Sequence, residues 1–147
     1  MNGKRLVQGF LVFLAIFAAA LIYTQFFAYY TRERGVETLR LAGAEVPVSD
    51  YDGIDSASSP LKLRGCFRID PAAVAALPPA ADATPLTPPF WFRCFDAGAL
   101  TEDLASGAAT ARVVTRDDPK GFDEMIAVYP DGRGYLWRQL NAAFRDE

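Results

Sequence analysis

A chain of 147 residues with two cysteines and no histidine has room for one small domain and little catalytic equipment. Without imidazole there is no Ser-His-Asp or Cys-His nucleophile system, no histidine general base or metal ligand, and no phospho-accepting histidine. All 18 acidic residues but only 13 of the 15 basic ones lie after Thr31, so that part carries a formal charge of −5, which argues against a nucleic-acid surface.

Residues 6–30, LVQGFLVFLAIFAAALIYTQFFAYY, contain no Lys, Arg, Asp or Glu. As a helix this stretch reaches roughly 37 Å, against a hydrocarbon core of about 30 Å. A bilayer forces the helix, because no backbone group there can pair with water. The stretch reads as one retained membrane span. The alternatives are a buried soluble helix and a cleaved signal peptide, with Lys4 and Arg5 as its basic start and Ala18, Ala19 and Ala20 imitating its cleavage site. The apolar run continues well past the roughly 7–15 residues of a signal h-region. Tyr23, Phe26, Phe27, Tyr29 and Tyr30 crowd its far end, as an interfacial aromatic belt does. Arg32, Arg34 and Arg40 on that flank, mixed with Glu33 and Glu37, keep the positive-inside rule from deciding the orientation. The tail has the form of a signal-anchor n-region, and both cysteines lie beyond the span, where an oxidising compartment suits them. The reading is therefore an inner-membrane protein with a cytoplasmic N-terminus (1–5), a transmembrane helix (6–30), a linker (31–35), a periplasmic domain (36–140) and a flexible tail (141–147).

Within the domain, residues 36–41 predict a strand and 45–48 a short return strand, confined to a sheet edge by Pro47. Residues 49–53 read as loop and 54–60 as a second loop or helical turn. Residues 61–69, LKLRGCFRI, give the clearest strand. Leu61, Leu63, Gly65, Phe67 and Ile69 fall on one face, and Lys62, Arg64, Cys66 and Arg68 on the other. The cationic face reads as solvated, with an anion site as the alternative. Asp70 and Pro71 start a short helix to Leu77. Residues 80–89 are proline-rich and irregular, and 90–95 form an aromatic piece packed against the sheet. Asp96 caps a helix over 97–105, with Leu100 and Leu104 inward and Gly107 closing it. Strands follow at 108–115, 122–129 and 134–140, the last two joined by a tight turn at 130–133. The fold class is α+β, a small antiparallel sheet with two short helices behind one N-terminal anchor.

Chemistry is sparse. No P-loop, Rossmann fingerprint or CxxC motif is present. Glu102-Asp103, Asp117-Asp118 and Asp123-Glu124 read as solvated charges. Cys66 and Cys94 are the one constellation to weigh. A structural disulfide between them is the leading reading, with two buried thiols or a redox or copper(I) site as alternatives. Zinc wants four ligands, which two cysteines without histidine do not supply. No cofactor or metal is called for.

IDSASSPLKLRGCF, TPLTPPFWFRCFDAGAL and AVYPDGRGYLWRQLN, behind a span ending in QFFAYY, resemble a family of uncharacterised single-pass proteins of alphaproteobacteria. In that pattern fall Ser58, Ser59, Pro60, Leu61, Cys66, Trp91, Cys94, Asp131, Gly132 and Trp137. Some members carry a histidine-kinase label, for which this chain has no histidine. The resemblance implies no activity, substrate or cofactor. The expected function is non-enzymatic: an anchored accessory, docking or assembly protein, with the lipid bilayer and a membrane protein or complex as partners. Arg64, Trp91 and Trp137 are its expected partner surface, although core packing is the plainer reading of each tryptophan alone. The alternative function is thiol-disulfide exchange or copper handling through Cys66 and Cys94.

Overall fold

The computed structural model describes residues 2–145 and divides into two units, 1–30 and 31–147. Met1, Asp146 and Glu147 lie outside the described residues, so the first residue of the expected tail 1–5 and the last two of 141–147 do too.

The first unit is a single helix, α1 (Gly3–Phe26). It starts ahead of the expected Leu6 because the Asn2 side chain caps it, accepting from Lys4 N at 3.1 Å. It stops at Phe26, where Phe27 leaves helical geometry, so residues 27–30 are not helical as expected. None of its residues is buried, and its 24 residues are long and apolar enough to cross a membrane.

The second unit is built on a six-stranded antiparallel sheet. Its strands are β1 (Thr31–Arg34), β4 (Ser49–Asp55), β5 (Arg64–Arg68), β6 (Thr110–Thr115), β7 (Phe122–Val128) and β8 (Arg133–Leu140), in the order β1-β4-β5-β8-β7-β6. A separate hairpin joins β2 (Thr38–Leu41) to β3 (Ala44–Pro47). Helix α2 (Ala97–Ser106) and a short α3 (Ala142–Arg145) complete the α+β fold, with 3-10 turns at Pro60–Lys62 and Pro71–Val74.

The β7–β8 hairpin stands where its turn chemistry places it, with Pro47 at the end of an edge strand. Asp96 and Gly107 cap α2 as read, the aspartate accepting from Ala99 N at 3.0 Å and the glycine taking a left-handed φ of 84°. Five expectations are corrected, the first being the short helix over 71–77, which is only a 3-10 turn at Pro71–Val74. Residues 31–34 are an edge strand rather than a linker, because Arg32 is drawn to Asp52 on β4 by two hydrogen bonds of 2.9 and 2.8 Å. The expected loop at 49–53 is most of β4, where pairing with β5, joined by β1 from Asp52 onward, overrides its turn-forming composition. The strand expected from Leu61 begins only at Arg64, since Ser59 caps a 3-10 turn by accepting from Leu61 N at 3.3 Å. The expected flexible tail is tied down through residue 145: Asn141 N donates to Gly121 O at 2.8 Å, and its side chain caps α3 by accepting from Ala143 N at 3.0 Å.

One face of the sheet holds the main apolar core. Tyr51, Phe67, Ile69, Ile126, Val128 and Leu136 pack there with Leu41 and Val46 of the small hairpin and Val74 of the 3-10 turn. Glycines admit the two aromatic rings. A Cβ on Gly53 would stand 2.6 Å from the Tyr51 hydroxyl, and one on Gly134 would overlap the Phe67 ring.

Candidate functional site

The opposite face carries what the sequence offers as a site. Cross-strand register aligns Arg32, Ile54, Arg64, Trp137, Met125 and Val113 in one row across all six strands. A second row runs Arg34, Asp52, Cys66, Tyr135, Ala127 and Ala111. This face is a second interior, not a solvated surface. Arg64 and Cys66 are buried, and only Arg68 stays exposed. Alternation over 64–68 is as read, but its cationic side is covered by residues 86–95 and α2, which bring in Phe92, Phe95 and Leu100.

Arg64 is held by that cover. Its Nε donates to Leu86 O at 2.8 Å and its Nη1 to Leu61 O and Leu63 O at 2.5 and 2.6 Å, with Phe95 stacked 5.8 Å from the guanidinium. Backbone carbonyls thus satisfy a buried cation. Trp137 has no exposed surface; its indole donates to Gln139 Oε1 at 3.0 Å, and Phe95 meets its ring edge-on. Of the three residues expected to form a partner surface, Arg64 and Trp137 are therefore interior. Trp91 alone keeps partial exposure, with the Arg32 guanidinium 5.9 Å above its ring.

Cys66 and Cys94 form a disulfide, with Cα atoms 6.2 Å apart and 28 positions apart in sequence. It clamps the aromatic segment onto β5. No free cysteine is present among the described residues, so neither sulfur offers a thiolate to copper(I) in this state. Cys66 lies in the interior, but Cys94 is exposed. No group of three or more His, Cys, Asp or Glu able to hold a metal occurs among the described residues.

Two polar clusters were not foreseen. Asp123, expected in solvent, is completely buried. Its carboxylate accepts from Arg116 Nη1 at 2.9 Å, Asp117 N at 3.0 Å and Asn141 Nδ2 at 2.8 Å, while Arg116 also clasps Asp82. Gln139 joins this network to the proline-rich segment, accepting from Thr84 N at 2.7 Å and donating to Asp82 O at 3.0 Å. On the main-core face Glu124 is mostly buried beside Arg138, whose Nε lies 3.4 Å away, with Asp55 on the arginine's other side. Burial raises the Glu124 pKa against the pull of Arg138. Burial, with Glu33 and Asp55 nearby, pushes the Tyr51 phenol up to about 12. At the β1 edge, hydrogen bonding from Arg32 holds the Asp52 carboxyl below its usual range.

Sequence reading missed Arg32, Asp52, Asp123, Gln139 and the exposed Phe90 beside Trp91. Only the Phe90-Trp91 pair carried a visible signal, two large rings ending a proline-rich run. Hollows of about 310 Å³ beside Val74, Arg112 and Tyr129, and about 360 Å³ beside Phe90, Arg93 and Asp96, also lie in the domain. What the arrangement does chemically is hold a shape: a disulfide, a stacked arginine and buried polar bonds fix one covering segment on the sheet.

No curated protein and no solved structure matches the chain. One family model does, over residues 36–147, and the chain belongs to that family of unknown function, DUF6446.

Proposed function

We propose that this is a single-pass inner-membrane protein with a cytoplasmic N-terminus, whose sheet domain serves in the periplasm as a docking or assembly module for a larger membrane complex, without catalysis of its own. The Cys66–Cys94 disulfide carries the reading. Such bonds persist in oxidising compartments, which argues for a domain held outside the cytoplasm by α1. The disulfide and the polar bonds under the proline-rich segment make the covering surface rigid, as a recognition platform needs to be. Extraction in mild detergent followed by native sizing tests this. A stable co-migrating membrane partner is the expected result, and a lone monomer counts against the docking role.

One observation favours a second reading. Cys94 is exposed, so an attacking thiolate has access to its side of the bond. Thiol-disulfide exchange requires that bond to open in the folded domain. A bridge that survives millimolar thiol under native conditions rules exchange out.

A further inference from the structure

Among the described residues of the sheet domain, Phe90 is the most exposed large apolar side chain, at 67%. Trp91 follows it, half-buried, and its ring lies 5.9 Å from the Arg32 guanidinium. Arg32 is fixed in turn by its two hydrogen bonds to Asp52. Phe90 and Trp91 therefore form an apolar tip beside β1, with a cation held against it.

β1 opens at Thr31, five residues after α1 ends at Phe26. With α1 in a bilayer, five residues of chain keep Thr31 within about 18 Å of the point where the helix ends. Headgroup layers extend roughly 5–8 Å beyond the hydrocarbon on each side. The Arg32 edge is thus tethered within reach of the membrane surface, and the tip beside it is made of the residue types that settle there. Tryptophan settles at the interface, phenylalanine buries its ring at the headgroup–acyl boundary, and arginine lays its stem along apolar material while its head stays wet. The domain's net negative charge works against attraction to anionic lipid, so ring burial among zwitterionic headgroups is the driving term.

We infer that the Phe90-Trp91 tip is a second membrane contact, seated in the headgroup layer of the bilayer that α1 crosses. This rests on reading α1 as a membrane span.

The test uses the full-length protein in phosphatidylcholine vesicles, either plain or brominated near the top of the acyl chains, with tryptophan emission as the readout. Trp137 has no exposed surface and serves as the internal reference. Bromine should quench much of the wild-type emission. Most of that loss should vanish in Trp91→Phe and shrink in Phe90→Asp, whose substituted position is exposed enough to leave folding and the Cys66–Cys94 bridge intact. Equal quenching of wild type and Trp91→Phe, in protein that floats with the vesicles, overturns this contact and leaves the anchor standing. Protein that does not float with the vesicles overturns both. Trp91 quenched by aqueous acrylamide but untouched by bromine also overturns the contact, and assigns the tip to a protein partner.

Discussion

Asp123 and Glu124 are neighbours in sequence and lie on opposite faces of β7. The aspartate is surrounded by three donors, which a buried carboxylate needs. The glutamate has only the off-line Arg138 against its desolvation, and its pKa rises. A carboxyl whose folded pKa lies above its unfolded value binds its proton more tightly in the native state. Stability on this account falls as pH rises from the ordinary value of 4.5 through the raised one. Glu124→Gln should flatten that fall, measured as urea midpoints across a pH series; an unchanged pH profile would refute the assignment. Gly134 makes a steric point. It has no φ requirement as its neighbour Gly132 does at 95°, but it lies under the Phe67 ring. Gly134→Ala should destabilise the domain by about 1–3 kcal/mol through overpacking, read from denaturant midpoints. Neither residue announced its role in the sequence. A charge pair looks solvated until the face it lands on is known, and a strand glycine does not say which ring crosses it.

Among the elements, those with local signals were legible. Turn chemistry at 130–133 placed the β7–β8 hairpin, and cap residues placed α2. Alternation placed the core side of β5, because Phe67 and Ile69 fall on the face that packs. What covers the other face is a long-range matter, and alternation is silent on it. Strands β1 and β4 were missed for the same reason: TRER and SDYDGID have polar, turn-like composition, and their extension comes from each other and from β5. The two cysteines were the exception, a long-range pairing that composition offered as the leading reading among three, and the structure has the disulfide. Their bridge closes a loop across 28 positions, and the chain-entropy model values such a closure at about 3–4 kcal/mol. Replacing both cysteines by alanine should lower stability by about that amount. It should also shift Trp137 emission to the red as Phe95 loosens above it, and a double variant with wild-type midpoint and emission would show the clamp to be dispensable.

At the scale of the whole molecule, an apolar rod and a folded domain follow one another with only residues 27–30 between them. The apolar run was the plainest feature of the sequence, and its helix lies three residues earlier than read at the start and four at the end. With α1 as a retained span, alkaline carbonate washing of membranes should leave the full-length chain in the pellet. Release into the supernatant, or a mature N-terminus near Leu21, would return the rod to a cleaved leader.

β1, the first strand after the rod, has a single neighbour in its sheet. Tension along the tether meets that strand before any other part of the fold. Its four residues pair with no strand but β4, stitched by Asp52 to Arg32 and Arg34, with the Arg32 guanidinium also over the Trp91 and Phe92 rings. Peeling them away yields about 13 Å of slack at strand rise, while the bridged, two-sided core behind them stays whole. Were α1 held in a bilayer, β1 would give first under a pull, as a shock absorber.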